Sequence, residues 1–181
     1  MDQIVFDIET KNSFADVGGQ ENLKKLDVSV VGFYSYKDDA YSCFDETELE
    51  KVKEVFKRSD LLIGFAVERF DLPVLEKYFL PESGFDFYKI PCFDILEKIE
   101  QSLGHRVKLD DLAKANLGIG KTAVGLEAIE FYRNGEIEKL KDYCLNDVKI
   151  TKELYEMLKN QGHLWIPKKF QTKMVKWEYQ I

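Results

Sequence analysis

Four acidic residues, in three separate stretches of the chain, can be aimed at one point: Asp7 and Glu9, Asp71, and Asp147. Asp7-Ile8-Glu9 closes the apolar run Ile4-Val5-Phe6. In a strand, residues two apart share a face, so both carboxylates project together. Phe70-Asp71 follows a second apolar run, Leu61 to Phe65. Tyr143 and Asp147 stand four apart in a helical pattern, which stacks them on one helix face. Carboxylates gathered in one place repel, and a divalent cation relieves the repulsion. Hard oxygen ligands suit magnesium or manganese.

Read in order as Asp7-Ile8-Glu9, Phe70-Asp71 and Tyr143-Cys144-Leu145-Asn146-Asp147, the chain resembles the DEDD superfamily of 3′–5′ exonucleases, also called DnaQ-like. That family carries Asp-x-Glu, then an Asp after an aromatic, then Tyr-x-x-x-Asp or His-x-x-x-x-Asp. Position 142 is Asp, not His, so the resemblance is to the tyrosine branch. It spans about residues 3 to 158. Within the branch the chain looks most similar to stand-alone YprB-like domains, which are related to the proofreading domain of family B DNA polymerases.

The resemblance implies an α/β fold of ribonuclease H-like type, with a mixed sheet flanked by helices on both faces. It implies a metal-dependent 3′–5′ exonuclease that hydrolyses phosphodiester bonds at the 3′ ends of single-stranded nucleic acid, DNA ahead of RNA. Two divalent ions, Mg2+ or Mn2+, would do the work, with Asp7 bridging both. Glu9 and Asp147 would complete the site of the nucleophilic water. Asp71 would reach the second ion, mainly through water, and Tyr143 would orient the attacking water. Thr10, Phe65, Ala66 and Lys121 are the candidate substrate contacts.

One position departs from the family. An Asn usually stands upstream of the aromatic–Asp pair, where this chain has Ala66. Ala offers no side-chain hydrogen bond, so weaker substrate placement is expected. Two other readings therefore stand beside the exonuclease. One is a nucleic-acid-binding module with a weakened nuclease site. The other is an interaction domain of a repair or helicase assembly. Gly118-Ile119-Gly120-Lys121-Thr122 imitates a phosphate loop, but Ala115 occupies the position of the required first Gly and a helical pattern precedes it. The two glycines are expected to end a helix.

At 181 residues the chain fits one domain, 1–181, large enough for a proper core. No run of about 18 apolar residues offers a membrane span, and the N-terminus lacks the regions of a signal peptide. Cys43, Cys92 and Cys144 follow neither zinc nor disulfide spacing. A reducing cytoplasm is the expected setting. The net charge of −7 argues against a general nucleic-acid coat. From about residue 159, however, a tail holds Lys159, Lys168, Lys169, Lys173 and Lys176 against only Glu178. Trp165, Phe170, Trp177 and Tyr179 are interleaved with those lysines. Such a mixture can stack the bases of a single strand, or it marks a strand that buries its aromatics and leaves its lysines in water.

Periodicity predicts a first strand over 3–8, a long loop over 11–27, and a hairpin of 28–36 with 40–44. A helix is expected over 46–57, a buried strand over 61–65, a helix over 72–79 and a short strand over 90–93. Asp94 then leads a helix to about 103. Helices over 109–116, 126–133 and 136–160 follow, then a short strand ending at Pro167 before the tail. Asp94 and Asp110 read as helix N-caps, and His105 and His163 as surface or packing residues.

Overall fold

The computed structural model describes residues 2–83, 85–119, 125–167 and 174–181, without the side chains of 81–83, 125 and 126. Lys121 and the residues 168–173 therefore lie outside the described residues.

The core is a five-stranded mixed sheet in the order β3-β2-β1-β4-β5. Its strands are β1 (Gln3–Thr10), β2 (Val28–Ser35), β3 (Ala40–Asp45), β4 (Leu61–Gly64) and β5 (Cys92–Asp94). β1 runs antiparallel to β2 and parallel to β4. The period of two then divides the sheet into two faces. Ile4, Phe6 and Ile8 enter one core, with Val52 and Phe56 of α1 (Leu49–Lys57) and Leu75 and Phe79 of α2 (Asp71–Ser83). Val5 enters the other core, with Ile99 of α3 (Ile95–Leu103), Leu112 of α4 (Leu109–Leu117) and Leu154 of α6 (Ile137–Gln161). A shorter helix, α5 (Gly125–Arg133), packs on α6. Helices thus cover both faces of a mixed α/β sheet, the layering expected from the sequence. Among the described residues, no helix is long and apolar enough to cross a membrane.

The face that begins with Val5 continues through Asp7 and Glu9. Apolar core therefore becomes carboxylate within one strand, and α6 lies over that transition. Its buried side chains, including Leu140, Tyr143, Cys144, Asp147, Val148 and Leu154, recur every three or four residues. The helix ends at Gly162, whose left-handed φ of 72° suits a residue without Cβ.

Two expectations are corrected. The segment read as a tail instead supplies β7 (Met174–Glu178), which pairs antiparallel with β6 (His163–Pro167). Trp177 opposes Leu164 and is buried, while Lys176 is exposed. Burial of an aromatic thus wins there, although Trp165 stays 42% exposed. Asp110 is no N-cap. Lys108 holds that position, and Asp110 sits in the first turn of α4, paired with Lys114 at 2.6 Å.

Candidate metal centre

Asp7, Glu9 and Asp147 come together: each offers a carboxylate oxygen, and these oxygens lie within 4.8 Å of one another. The strand spacing brings the first two, and α6 brings the third. Asp147 is buried, with Asp7 and Glu9 half-buried. The three donors are hard and anionic, the kind that a divalent cation takes, and no soft ligand belongs to the group. The donor set fits a divalent ion. One turn before Asp147, Tyr143 is buried among Val30, Ala128, Leu140 and Cys144.

The close approach of α6 to β1 depends on a residue without obvious chemistry. Gly32 pairs directly with Asp7 across β1 and β2. A Cβ on Gly32 would stand 2.8 Å from Cys144 Sγ, 3.3 Å from Val148 Cγ2 and 3.4 Å from Leu145 Cδ2. The helix rests where that Cβ would be. Cys144 Sγ donates to the Asp7 carbonyl at 3.4 Å and lies 3.8 Å from Asp7 Oδ2. Burial, a hydrogen bond with Cys43 and the Asp7 carboxylate all push the Cys144 thiol well above its usual range. It therefore stays a protonated donor at neutral pH.

Asp71 takes another place. β4 pairs with β1 only as far as Val5, so beyond it that edge of β1 is open. Asp71 Oδ1 accepts the Ile8 N–H at 3.0 Å and fills the gap. Asp71 is thus joined to the backbone between Asp7 and Glu9, but it is not one of the three clustered carboxylates. Burial pushes its carboxyl up to about 8; the Ile8 N–H opposes this and the Asp94 charge adds to it. The unfolded value is 3.8. The folded protein therefore keeps a proton that the unfolded chain has lost across that window. Its contribution to stability is full below the unfolded value and disappears as pH rises through about 8. Metal-free protein should accordingly melt at lower temperature at pH 9 than at pH 6, and Asp71→Asn should flatten the profile. A wild-type melting temperature constant over that range would contradict the placement of Asp71.

The turn between β4 and α2 carries two more of the expected residues. Phe65 is half-buried against the second core. Ala66 adopts a left-handed backbone, φ 68°, which costs a non-glycine residue roughly 1–2 kcal/mol. Pro73 stands in the first turn of α2, where a missing N–H costs no helical bond. The hydroxyl of Thr10 donates to the Asn12 carbonyl at 2.9 Å, so it serves the local chain turn.

Sequence reading missed Gly32 and the task of Asp94. A glycine inside an apolar strand does signal close backbone approach, and this was the one available hint. Asp94 was read as a cap, and its Oδ1 does accept the Glu97 N–H at 3.1 Å. It also accepts from Ala66 and Glu68. Charge-assisted bonds to a buried carboxylate contribute about 1.5–3 kcal/mol each. The exposed pairs of Arg69 with Glu97 and Glu100 join the same elements but are worth only about 0–1 kcal/mol each. Lys11, just beyond Thr10, pairs with Glu46, which also accepts from the Tyr132 hydroxyl at 3.2 Å. These contacts tie α5 to the end of β1.

Comparison with known proteins gives the fold a context. A search of curated proteins finds no match. Among solved structures, the chain is similar to the family B DNA polymerase from the hyperthermophilic archaeon Pyrobaculum calidifontis, at TM-score 0.65 and 18% identity. The match covers 87% of this chain and 24% of the polymerase, so the chain spans about a quarter of that protein. At that identity the likeness speaks for the fold alone. The family model described as the RNase H superfamily matches residues 4–159. That stretch takes in β1 and nearly all of α6, the two elements that bring the three carboxylates together, and the chain belongs to the ribonuclease H superfamily.

Proposed function

We propose that this protein is a metal-dependent 3′–5′ exonuclease acting on single-stranded nucleic acid. The observation that carries the reading is the meeting of Asp7, Glu9 and Asp147, with Asp71 bonded to the strand between the first two. Asp7, Glu9 and Asp147 would hold divalent metal, with Asp71 reaching a second ion mainly through water. Bound metal supplies an acidified water and charge stabilisation at the leaving oxygen. The chain itself supplies alignment. β1 and α6 fix the three carboxylates, and Cys144 steadies Asp7 by its S–H bond. The Tyr143 hydroxyl orients the attacking water. DNA, ahead of RNA, is the proposed substrate.

Stepwise shortening of a 5′-labelled single strand from its 3′ end in manganese tests this reading. Tyr143→Phe should cut the rate roughly 10²-fold while the manganese dependence is unchanged, because the ring is not a ligand. Unaltered kinetics would remove Tyr143 from the reaction.

A second reading, a binding module with a weakened nuclease site, draws on Ala66. Its left-handed φ is one that Asn tolerates better than Ala. Ala66→Asn should therefore stabilise the protein by up to about 1 kcal/mol and raise turnover by improving substrate placement. Should wild type and Ala66→Asn both bind single strands yet cut nothing in manganese, the binding module is the correct reading.

A further inference from the structure

Asp94 is fully buried and stands outside the four carboxylates assigned to the metals. Its Oδ1 accepts the Ala66 N–H at 2.9 Å as well as the Glu97 N–H at 3.1 Å, and its Oδ2 accepts the Glu68 N–H at 3.1 Å. A helix cap needs one oxygen and a bond to the first turn. The Glu97 contact meets that need. The other two contacts reach across to the turn between β4 and α2.

That turn is short and tightly wound. The Ala66 carbonyl accepts from the N–H groups of Arg69 and Phe70, and the Val67 carbonyl accepts from Leu72. Val67 folds back over the end of β4, where a Cβ on Gly64 would lie 2.1 Å from Val67 Cγ1. Asp71 follows at once and reaches the Ile8 N–H. A shift of the turn is therefore a shift of Asp71 relative to Asp7 and Glu9. Ala66 holds a left-handed conformation without help from its own methyl group. The anchor comes from Asp94, at the end of the neighbouring strand β5.

Building on the exonuclease reading, we propose that Asp94 is a positioning residue for the reaction. It clamps the Ala66–Phe70 turn and thereby keeps the Asp71 carboxylate in register with Asp7, Glu9 and Asp147. It touches neither metal nor substrate and acts through Asp71.

The test separates this task from simple capping. In Asp94→Ser the hydroxyl still caps α3 but is too short to span the turn. Well below the melting temperature, kcat on a single-stranded oligonucleotide should fall by about 10-fold or more, since small misplacements are costly. KM should stay within roughly twofold and the manganese midpoint should not move, because only alignment is lost. Asp94→Asn keeps an accepting oxygen and should recover much of the rate. Hydrogen exchange should quicken at the amides of 66–71 in Asp94→Ser and stay slow along α6. The proposal is overturned if exchange at 66–71 is unchanged, if KM rises while kcat holds, or if kcat falls only with the folded fraction. If Asp94→Ser does not fold, Asp94→Asn, which lacks the second oxygen that accepts the Glu68 N–H, carries the exchange comparison instead: the amides of 66–71 should exchange faster than in wild type, and unchanged exchange there overturns the proposal. A wild type that cuts nothing in manganese sinks the exonuclease reading instead, and the exchange data still decide whether Asp94 holds the turn.

Discussion

Asp7→Ala and Asp147→Ala should each abolish hydrolysis while leaving the fold intact. Both side chains belong to the carboxylate cluster, and neither fills a large apolar volume. Loss of one anion from three within 4.8 Å relieves repulsion, which offsets the contacts the side chain gives up, so the metal-free variants should keep a cooperative melting transition. Manganese should show the opposite pattern. At 100 times the dissociation constant, a ligand that binds only the folded state adds about 2.7 kcal/mol. For a chain of this size that is about 5–10 °C in melting temperature. Wild type should show that rise and Asp7→Ala should not. Calorimetry with and without manganese reads the binding; nucleotide release reads the chemistry. Full activity in purified Asp7→Ala would sink the metal assignment.

The two outcomes answer different questions. A variant that loses both the manganese shift and hydrolysis places Asp7 among the ligands. One that keeps the shift and loses hydrolysis points to an effect on substrate placement. Asp71 offers the comparison. Its carboxylate is bonded to Ile8 and lies outside the cluster of three, so Asp71→Asn should keep more of the manganese shift than Asp7→Ala does.

Much of the site was legible because its spacing is local. Asp7 and Glu9 share a face through the strand period, and Tyr143 and Asp147 through the helix period; neither needs knowledge of the fold. The layered sheet was legible for the same reason, since its strands and helices announce themselves by apolar period. What stayed hidden depends on contacts far apart in sequence. The clamp from Asp94 to Ala66 and Glu68 crosses 28 and 26 residues. The left-handed turn at Ala66 breaks a backbone preference that sequence alone would have trusted. Asp110 looked like a cap because it is acidic and close to a helix start, but the helix expected from Leu109 does begin there, which leaves the cap position to Lys108. In β7, half-buried Val175 and buried Trp177 alternate with exposed Met174, Lys176 and Glu178; the mixture of lysines and aromatics had left base stacking and burial both open, and the pairing of Trp177 with Leu164 decides for burial there.

Gly32→Ala should be the most damaging substitution at a position that carries no functional group. The added methyl would meet Cys144 Sγ at 2.8 Å, with Val148 and Leu145 close behind. Cys144 is fully buried and bonded to Asp7, so its sulfur has little room to rotate away. Relief must come from α6, which would ride outward from β2 and carry Tyr143 and Asp147 with it. Overpacking of this kind costs about 1–3 kcal/mol. The larger effect should fall on the reaction, because a displacement near 1 Å costs roughly 10²-fold in rate. Manganese affinity should weaken as well, since Asp147 leaves its partners on β1. Shortening the obstructing side chain should reverse part of the loss: Cys144→Ala in the Gly32→Ala background removes the closest contact, and the double variant should be more active than Gly32→Ala alone. If Gly32→Ala instead retains wild-type turnover and manganese affinity, close packing of α6 on β2 does not set the geometry of the carboxylates.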